Sequence, residues 1–363
     1  MGSPRVPIGE LDLELKGFIY QPTQIRLDLW NAELRADITT TVGEVKVRAF
    51  VHSGKPVLAV ELETTEAEKD AVLRWYPYPE VDHVLKNADG FNLNQFIPET
   101  EVERREVEGI PVGIQKYPTE EGCVTSWTEV RHSDLHRLFY LNVENGINDE
   151  AVHRSADAVA AARAELWDGF VESHRQWWHD YYRQSFVSIP DTRLESFYWI
   201  QMYKLASATR ADGKIIDNQG PWLAPTPWAG VWFNMNVQMS YSPVYTSNRL
   251  ELGESLVRAL EENQETLIRT VPEAYRDDSA ALGRSCSYDL VTKLDKEIGN
   301  LTWTLHNVWR QYRYSMDEDL LKRSLYPLLR RSINLYLHLL EEGRTAGFIC
   351  RLRFPRNTAR LRK

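Results

Sequence analysis

Apolar and polar residues alternate through the first third of the chain. Leu11, Leu13 and Leu15 in ELDLELKGF, and Ile25, Leu27 and Leu29 in TQIRLDLW, follow the period of two that half-buried strands require. In VKVRAFVHSGKPVLAVELET two apolar runs flank Ser53-Gly54-Lys55-Pro56, which predicts a hairpin. CVTSWTEV and LHRLFYLNVE carry the same pattern to about Glu144. Strands repeated at this spacing predict an antiparallel β-sandwich over residues 1–148.

The period changes near Asp149. DEAVHRSADAVAAARAELWDGFVESHRQWWHDYYRQS has no proline and one glycine, and its alanines and long polar residues favour helix, so 149–190 is expected to be a helical linker. Helical segments then dominate: roughly Thr192–Arg210, Trp232–Tyr241, Arg249–Thr270, Asp289–Tyr314 and Glu318–Glu342, with Pro327 expected to kink or restart the last. The predicted fold class is multidomain β plus α, with 191–343 forming an α domain whose paired helices are compatible with an α/α toroid.

Composition narrows the partners. A formal net charge of -9 argues against nucleic acid. Three widely spaced cysteines, Cys123, Cys286 and Cys350, form no C-x-x-C pair and no disulfide framework, so a reduced, cytoplasmic setting is the expectation. No run approaches the roughly 20 apolar residues of a membrane span, so no membrane partner is expected. His174 and His179 flank Trp177-Trp178 at a five-residue spacing, which does not place them on one helix face as paired ligands, and no metal or other cofactor is expected. There is no Gly-rich phosphate loop and no Gly-x-Ser-x-Gly elbow, which removes nucleotide binding and serine-hydrolase chemistry. Composition says nothing about oligomeric state.

Candidate chemistry concentrates in DNQGPWLAPTPWAGVWFNMNVQMSYSPVY, Asp217 to Tyr245. Trp222, Trp228, Trp232 and Tyr241 lie beside Gln219, Asn234, Asn236 and Gln238. Flat aromatic faces next to amides suit a carbohydrate, which offers apolar ring faces and hydroxyls needing both hydrogen-bond roles. A buried aromatic core braced by amides fits the same composition. His306, between Trp303 and Trp309, is a further candidate to reach a sugar, with a core or surface histidine as the alternative. The carboxylates of Asp277 to Leu290 read either as lining the mouth of the domain or as solvated loop acids.

GPW followed by W-x-x-x-WFNMNVQMSY resembles glycoside hydrolase family 95, the α-L-fucosidase type, and so do WWHDYYRQSFVSIPDTRLESFYWIQMYKLASATR and LYPLLRRSINLYLHLL. The resemblance implies an N-terminal β domain, a helical linker and the first part of an (α/α)6 barrel. It also implies inverting hydrolysis, in which Asn234 and Asn236 orient a water that a carboxylate deprotonates while a general-acid Glu protonates the leaving oxygen. Amides can replace neither carboxylate. The chain departs from the family pattern at Trp232, where many members have His, and at Ser240-Tyr241-Ser242, where they read Asn-Tyr-Trp. The resemblance therefore implies sugar chemistry without fixing fucose. A non-catalytic carbohydrate-binding protein and an (α/α)6 phosphorylase or lyase relative are the other readings.

The tail is anomalous. From Arg344 to Lys363 there are six Arg and one Lys but no Asp or Glu. The family places its acid in a Ser-Pro-Glu segment at this point, and codons read one base earlier permit Leu-Pro-Pro-Thr-Phe-Ser-Pro-Glu-Tyr-Gly through Ala359. A frameshift between Gly343 and Gly347 is thus expected, making 344–363 an out-of-frame tail and the chain a truncated, inactive hydrolase. A native basic tail is the alternative.

Overall fold

A computed structural model describes residues 7–78, 100–117, 121–222, 226, 228–342 and 348–350, with no account of side chains beyond Leu340. Apart from 348–350, the arginine-rich tail lies outside the described residues. The chain divides into two compact units, Val6–Ile200 and Gln201–Lys363.

In the first unit, alternation builds one large antiparallel sheet. The strands are β1 (Gly9–Glu14), β2 (Gln24–Asp28), β3 (Glu33–Thr39), β4 (Glu44–Val51), β5 (Val57–Thr64), β6 (Val72–Pro77), β7 (Glu101–Val107), β8 (Ile110–Lys116), β9 (Gly122–Ser133) and β10 (His136–Asn145). Eight of them pair in the order β2-β3-β4-β5-β10-β9-β8-β7, and β1 pairs separately with β6. The predicted hairpin joins β4 to β5, with Val51 opposite Leu58 and His52 N–H bonded to Val57 O at 2.9 Å.

Each strand's two faces bury different cores, because successive side chains point opposite ways. Val60, Phe139 and Leu141 pack with Leu11, Leu73 and Trp75 of the β1–β6 pair. Their neighbours Ala59, Leu138 and Tyr140 pack instead with Ala151, Val152, Val159, Phe170 and Val171. The sheet is thus covered by a two-stranded layer on one face and by helices on the other. β2 is the exception: Ile25 and Leu27 alternate as predicted yet are 67% and 45% exposed on an edge strand.

The covering helices are α1 (Asp149–Ala164) and α2 (Trp167–Arg183). Asn148 caps α1 by accepting from Ala151 N–H at 2.8 Å, which satisfies one of the donors a helix start leaves open. Buried Phe170, Val171, His174, Trp178, Tyr181 and Tyr182 recur at helical spacing along α2. These two helices share the sheet's core, so the segment expected as a linker packs as a layer of the first unit.

Helices dominate the second unit, which begins within α3 (Thr192–Ala208). It continues through β11 (Val231–Trp232), α4 (Asn236–Thr246), α5 (Leu250–Glu262), α6 (Gln264–Arg269), β12 (Ser285–Cys286), α7 (Asn300–Ser315), α8 (Glu318–Leu320) and α9 (Tyr326–Leu339). The helix predicted from Trp232 begins four residues later, because Trp232 pairs with Ser285 in a short ladder. The helix predicted from Asp289 begins at Asn300, and the one over 249–270 breaks at Asn263. Before Pro327 the chain passes through a π-helical stretch, Leu321–Leu325, so the ring meets no i−4 hydrogen bond and α9 restarts there.

Candidate functional site

The stretch singled out by sequence forms a strand, a turn and a helix start. Val231 and Trp232 pair with Cys286 and Ser285, and Phe233 N–H continues the ladder to Arg284 O at 2.7 Å. Gly230 is required where this ladder begins: its φ is +99°, and a Cβ there would meet Cys286 O at 3.0 Å. The chain then turns through Asn234 and Met235 into α4.

Gln238 and Tyr241 brace that turn from inside. Gln238 is 3% exposed; its Nε2 donates to Phe233 O at 2.5 Å and to Thr304 Oγ1 at 3.1 Å, while its backbone carbonyl accepts from Asn307 Nδ2 at 3.0 Å. The Tyr241 hydroxyl accepts from Ile216 N–H at 3.1 Å and lies 2.7 Å from Ser255 Oγ. Full burial pushes its pKa up to about 12, so it stays a neutral phenol. Both candidates therefore sit in the core and hold α4 to α7, to α5 and to the loop before Asp217.

Six candidates remain exposed or half-buried. Trp222 and Trp228 are exposed, Trp228 at 59%. The Lys204 ammonium lies 5.8 Å above the Trp222 ring, and the largely buried Trp232 meets Trp228 edge-on at 5.4 Å. Asn234 and Asn236 are half-buried on either side of exposed Met235, and their amides bond to no protein group among the described residues. Gln219 is half-buried in the loop that precedes Trp222. His306 is exposed on α7 and stacks on Trp309 at 5.5 Å, whereas Thr304 and Asn307 of the same helix face α4. Sequence reasoning did not single out Asp217 and Tyr288, which meet at 2.8 Å across 71 residues.

The loop acids have local employment. Asp278 Oδ1 bonds His338 at 2.8 Å and Ser279 Oγ at 2.8 Å, and the imidazole beside it holds its carboxyl below the usual range. Asp289 Oδ1 accepts from Val291 N–H at 3.0 Å. Among the described residues one group could hold a metal ion, Glu61, Glu63 and His136 of the sheet, with ligand atoms within 4.8 Å of one another. Glu61 is already held by Arg48 at 2.6 Å, Trp167 Nε1 at 2.9 Å and His136 at 3.0 Å, a set complete without a cation. His174 and His179 are spent on Asn31, at 2.9 Å to its carbonyl and 3.0 Å to its side chain. No described helix is long and apolar enough to cross a membrane.

Residues 172–352, which include the whole of this strand, turn and helix, match the glycosyl hydrolase family 95 catalytic domain. The chain is glycoside hydrolase family 95-like. Over an alignment of 183 positions this family 95-like chain is 28% identical to Alpha-L-fucosidase 2 of Arabidopsis thaliana, covering 46% of the chain and 21% of that protein. In fold it is similar to a putative kojibiose phosphorylase from human microbiome, with a TM-score of 0.62 and 10% identity over 92% of the chain and 48% of that structure. The sheet-rich first unit followed by helices is therefore the arrangement of (α/α)6 barrel enzymes. The family 95-like chain spans about a fifth of the curated relative and about half of the solved one, at 21% and 48%.

Proposed function

We propose that the chain is by lineage an inverting glycoside hydrolase of α-L-fucosidase type and that Asn234 and Asn236, whose carbonyl oxygens would orient the attacking water in an active member, here face the sugar. One observation carries this reading: two half-buried amides without protein partners among the described residues flank the start of α4, inside the family match. A half-buried amide without a protein partner keeps its carbonyl and its N–H groups open to water or to the hydroxyls of a ligand. Exposed indole faces supply the stacking surface a sugar ring uses.

Hydrolysis also needs an acid and a base. Asp278 is engaged by His338 of α9, and Asp289 by Val291 N–H in its own loop. The expected Ser-Pro-Glu does not occur in the sequence, where residues 344–363 are arginine-rich. We therefore assign the chain sugar binding without turnover and read 344–363 as translated out of frame. Sequencing the coding DNA from the Glu341 codon onward tests the second point: a single-base discrepancy restoring Ser-Pro-Glu-Tyr-Gly supports it, and an unambiguous arginine-rich frame refutes it.

Function itself is tested with purified, folded chain. Titration with L-fucose and D-galactose is expected to show millimolar binding, and incubation with the corresponding aryl glycosides no release of aglycone. A frame-restored protein is expected to release the sugar with inverted anomeric configuration, read by NMR. Cleavage that requires inorganic phosphate would select phosphorolysis instead, the chemistry suggested by the name of the fold relative.

A further inference from the structure

Asp217 lies at the entrance of the loop that carries Gln219 and Trp222, and its side chain reaches in two directions. Oδ1 accepts the N–H groups of Gln219 at 2.9 Å and Gly220 at 2.8 Å, folding the chain back into a tight turn. Gly220 completes the turn at φ +64°, where a Cβ would strike the Trp222 ring at 2.8 Å. Oδ2 accepts from the Tyr288 hydroxyl at 2.8 Å.

Tyr288 follows β12, whose residues Ser285 and Cys286 pair with Trp232 and Val231. The next residue of the loop, Asn218, bonds Gly230 O through its N–H at 3.1 Å and Trp228 O through Nδ2 at 3.0 Å. Three chain segments meet here: the turn with Gln219 and Trp222, the strand leading to Asn234, and the strand opposite it. A carboxylate that is only 8% exposed and accepts from all these donors is held in place by them. Such a group orients its neighbours.

We propose that Asp217, clamped by Tyr288, is the positioning residue of the sugar-facing loop, setting Gln219 and Trp222 relative to the Asn234–Asn236 turn. This rests on the carbohydrate-binding reading above. Pre-setting the loop matters because ordering it on binding would cost affinity.

The test compares wild-type chain with Asp217→Ala, Asp217→Asn and Tyr288→Phe by amide hydrogen exchange over 215–222 and by titration with L-fucose and D-galactose. In Asp217→Ala, exchange at Gln219 and at Gly220 is expected to rise by about tenfold, the ratio that the one bond lost by each amide gives, and the sugar dissociation constant to increase by at least about tenfold. Asp217→Asn keeps the turn acceptor and is expected to restore slow exchange, a rescue that a loosened core would not show. Tyr288→Phe removes only the hydroxyl that Asp217 accepts, on a residue 37% exposed, and is expected to keep the fold and to weaken binding several-fold. Unchanged exchange in Asp217→Ala, or unchanged affinity in both Asp217→Ala and Tyr288→Phe, overturns the proposal. Wild-type chain that binds neither sugar contradicts the proposed function, and the exchange comparison alone then decides whether Asp217 holds the loop.

Discussion

Two polar groups buried in the sheet unit, Glu33 and His174, and the amides at the start of α4 are treated in opposite ways. Buried Glu33 accepts from Arg175 at 2.6 Å and from Arg35 at 2.8 Å. Buried His174 accepts Ser53 N–H at Nδ1, 3.0 Å, and Nε2 lies 2.9 Å from Asn31 O, so it is a neutral imidazole donating from Nε2. Asn234 and Asn236 are not enclosed in this way, and their amides have no protein partner among the described residues. The difference teaches where to look for function. Polar groups whose bonding is completed internally hold the fold together, and those left half-covered and unbonded await something from outside.

This contrast can be broken by substitution, and the largest effect belongs to the ion pairs. Glu33→Ala strands the Arg175 guanidinium beside the core and is expected to cost about 3–5 kcal/mol, measured by urea denaturation. Burial alone would raise the Glu33 carboxyl, but the bonds from Arg175 and Arg35 outweigh it and hold it below the usual range.

His174 gives a pH signature. Burial, with His52 beside it, lowers its pKa from 6.5 to about 4. The unfolded chain then binds more protons between those values, so stability falls as pH drops from about 6.5 towards about 4, by roughly 3 kcal/mol in all at 1.36 kcal/mol per unit. Thermal melts at pH 7 and pH 4.5 are expected to show this loss, and His174→Gln to reduce the slope of that decline.

Within the second unit, Gln238→Ala is expected to cost about 1–3 kcal/mol, because Phe233 O, Thr304 Oγ1 and the turn lose their donor. Arg137 sharpens the comparison from the other side. It is 2% exposed, its nitrogens make no hydrogen bond, and Glu129 is 3.9 Å away. Arg137→Met is expected to be neutral or stabilising by about 1 kcal/mol in the same denaturation assay. Smallest of all, Asn234→Ala and Asn236→Ala are expected to change stability by less than about 0.5 kcal/mol, since neither amide supports the fold.

How much of this could be read from sequence depends on the range of the interaction. Alternation found β1, β4, β5, β9 and β10 and the Ser53–Pro56 hairpin, because strand period and turn chemistry are local. It also found β2, but not that Ile25 and Leu27 would lie exposed on an edge. The false helix start at Trp232 has a long-range cause, since its strand partner, Ser285, comes much later in the chain. Family-like residues pointed to the Asn-x-Asn turn. Composition could not separate Gln238 and Tyr241, which face inward, from Trp228, which faces out, because period alone does not say which side of a new helix meets its neighbours. The Asp217–Tyr288 contact joins two loops without periodicity and left no local signal.

The central claim is that the amides of Asn234 and Asn236 serve a sugar and not the fold. Calorimetric titration of L-fucose and D-galactose into wild-type chain and the double variant Asn234→Ala/Asn236→Ala, with a melting curve for each, tests it most directly. Millimolar binding by wild type, at least about tenfold weaker binding by the variant, and coincident melting curves are expected. Equal affinity in both proteins, no binding by wild type, or a variant destabilised as much as Gln238→Ala would contradict it.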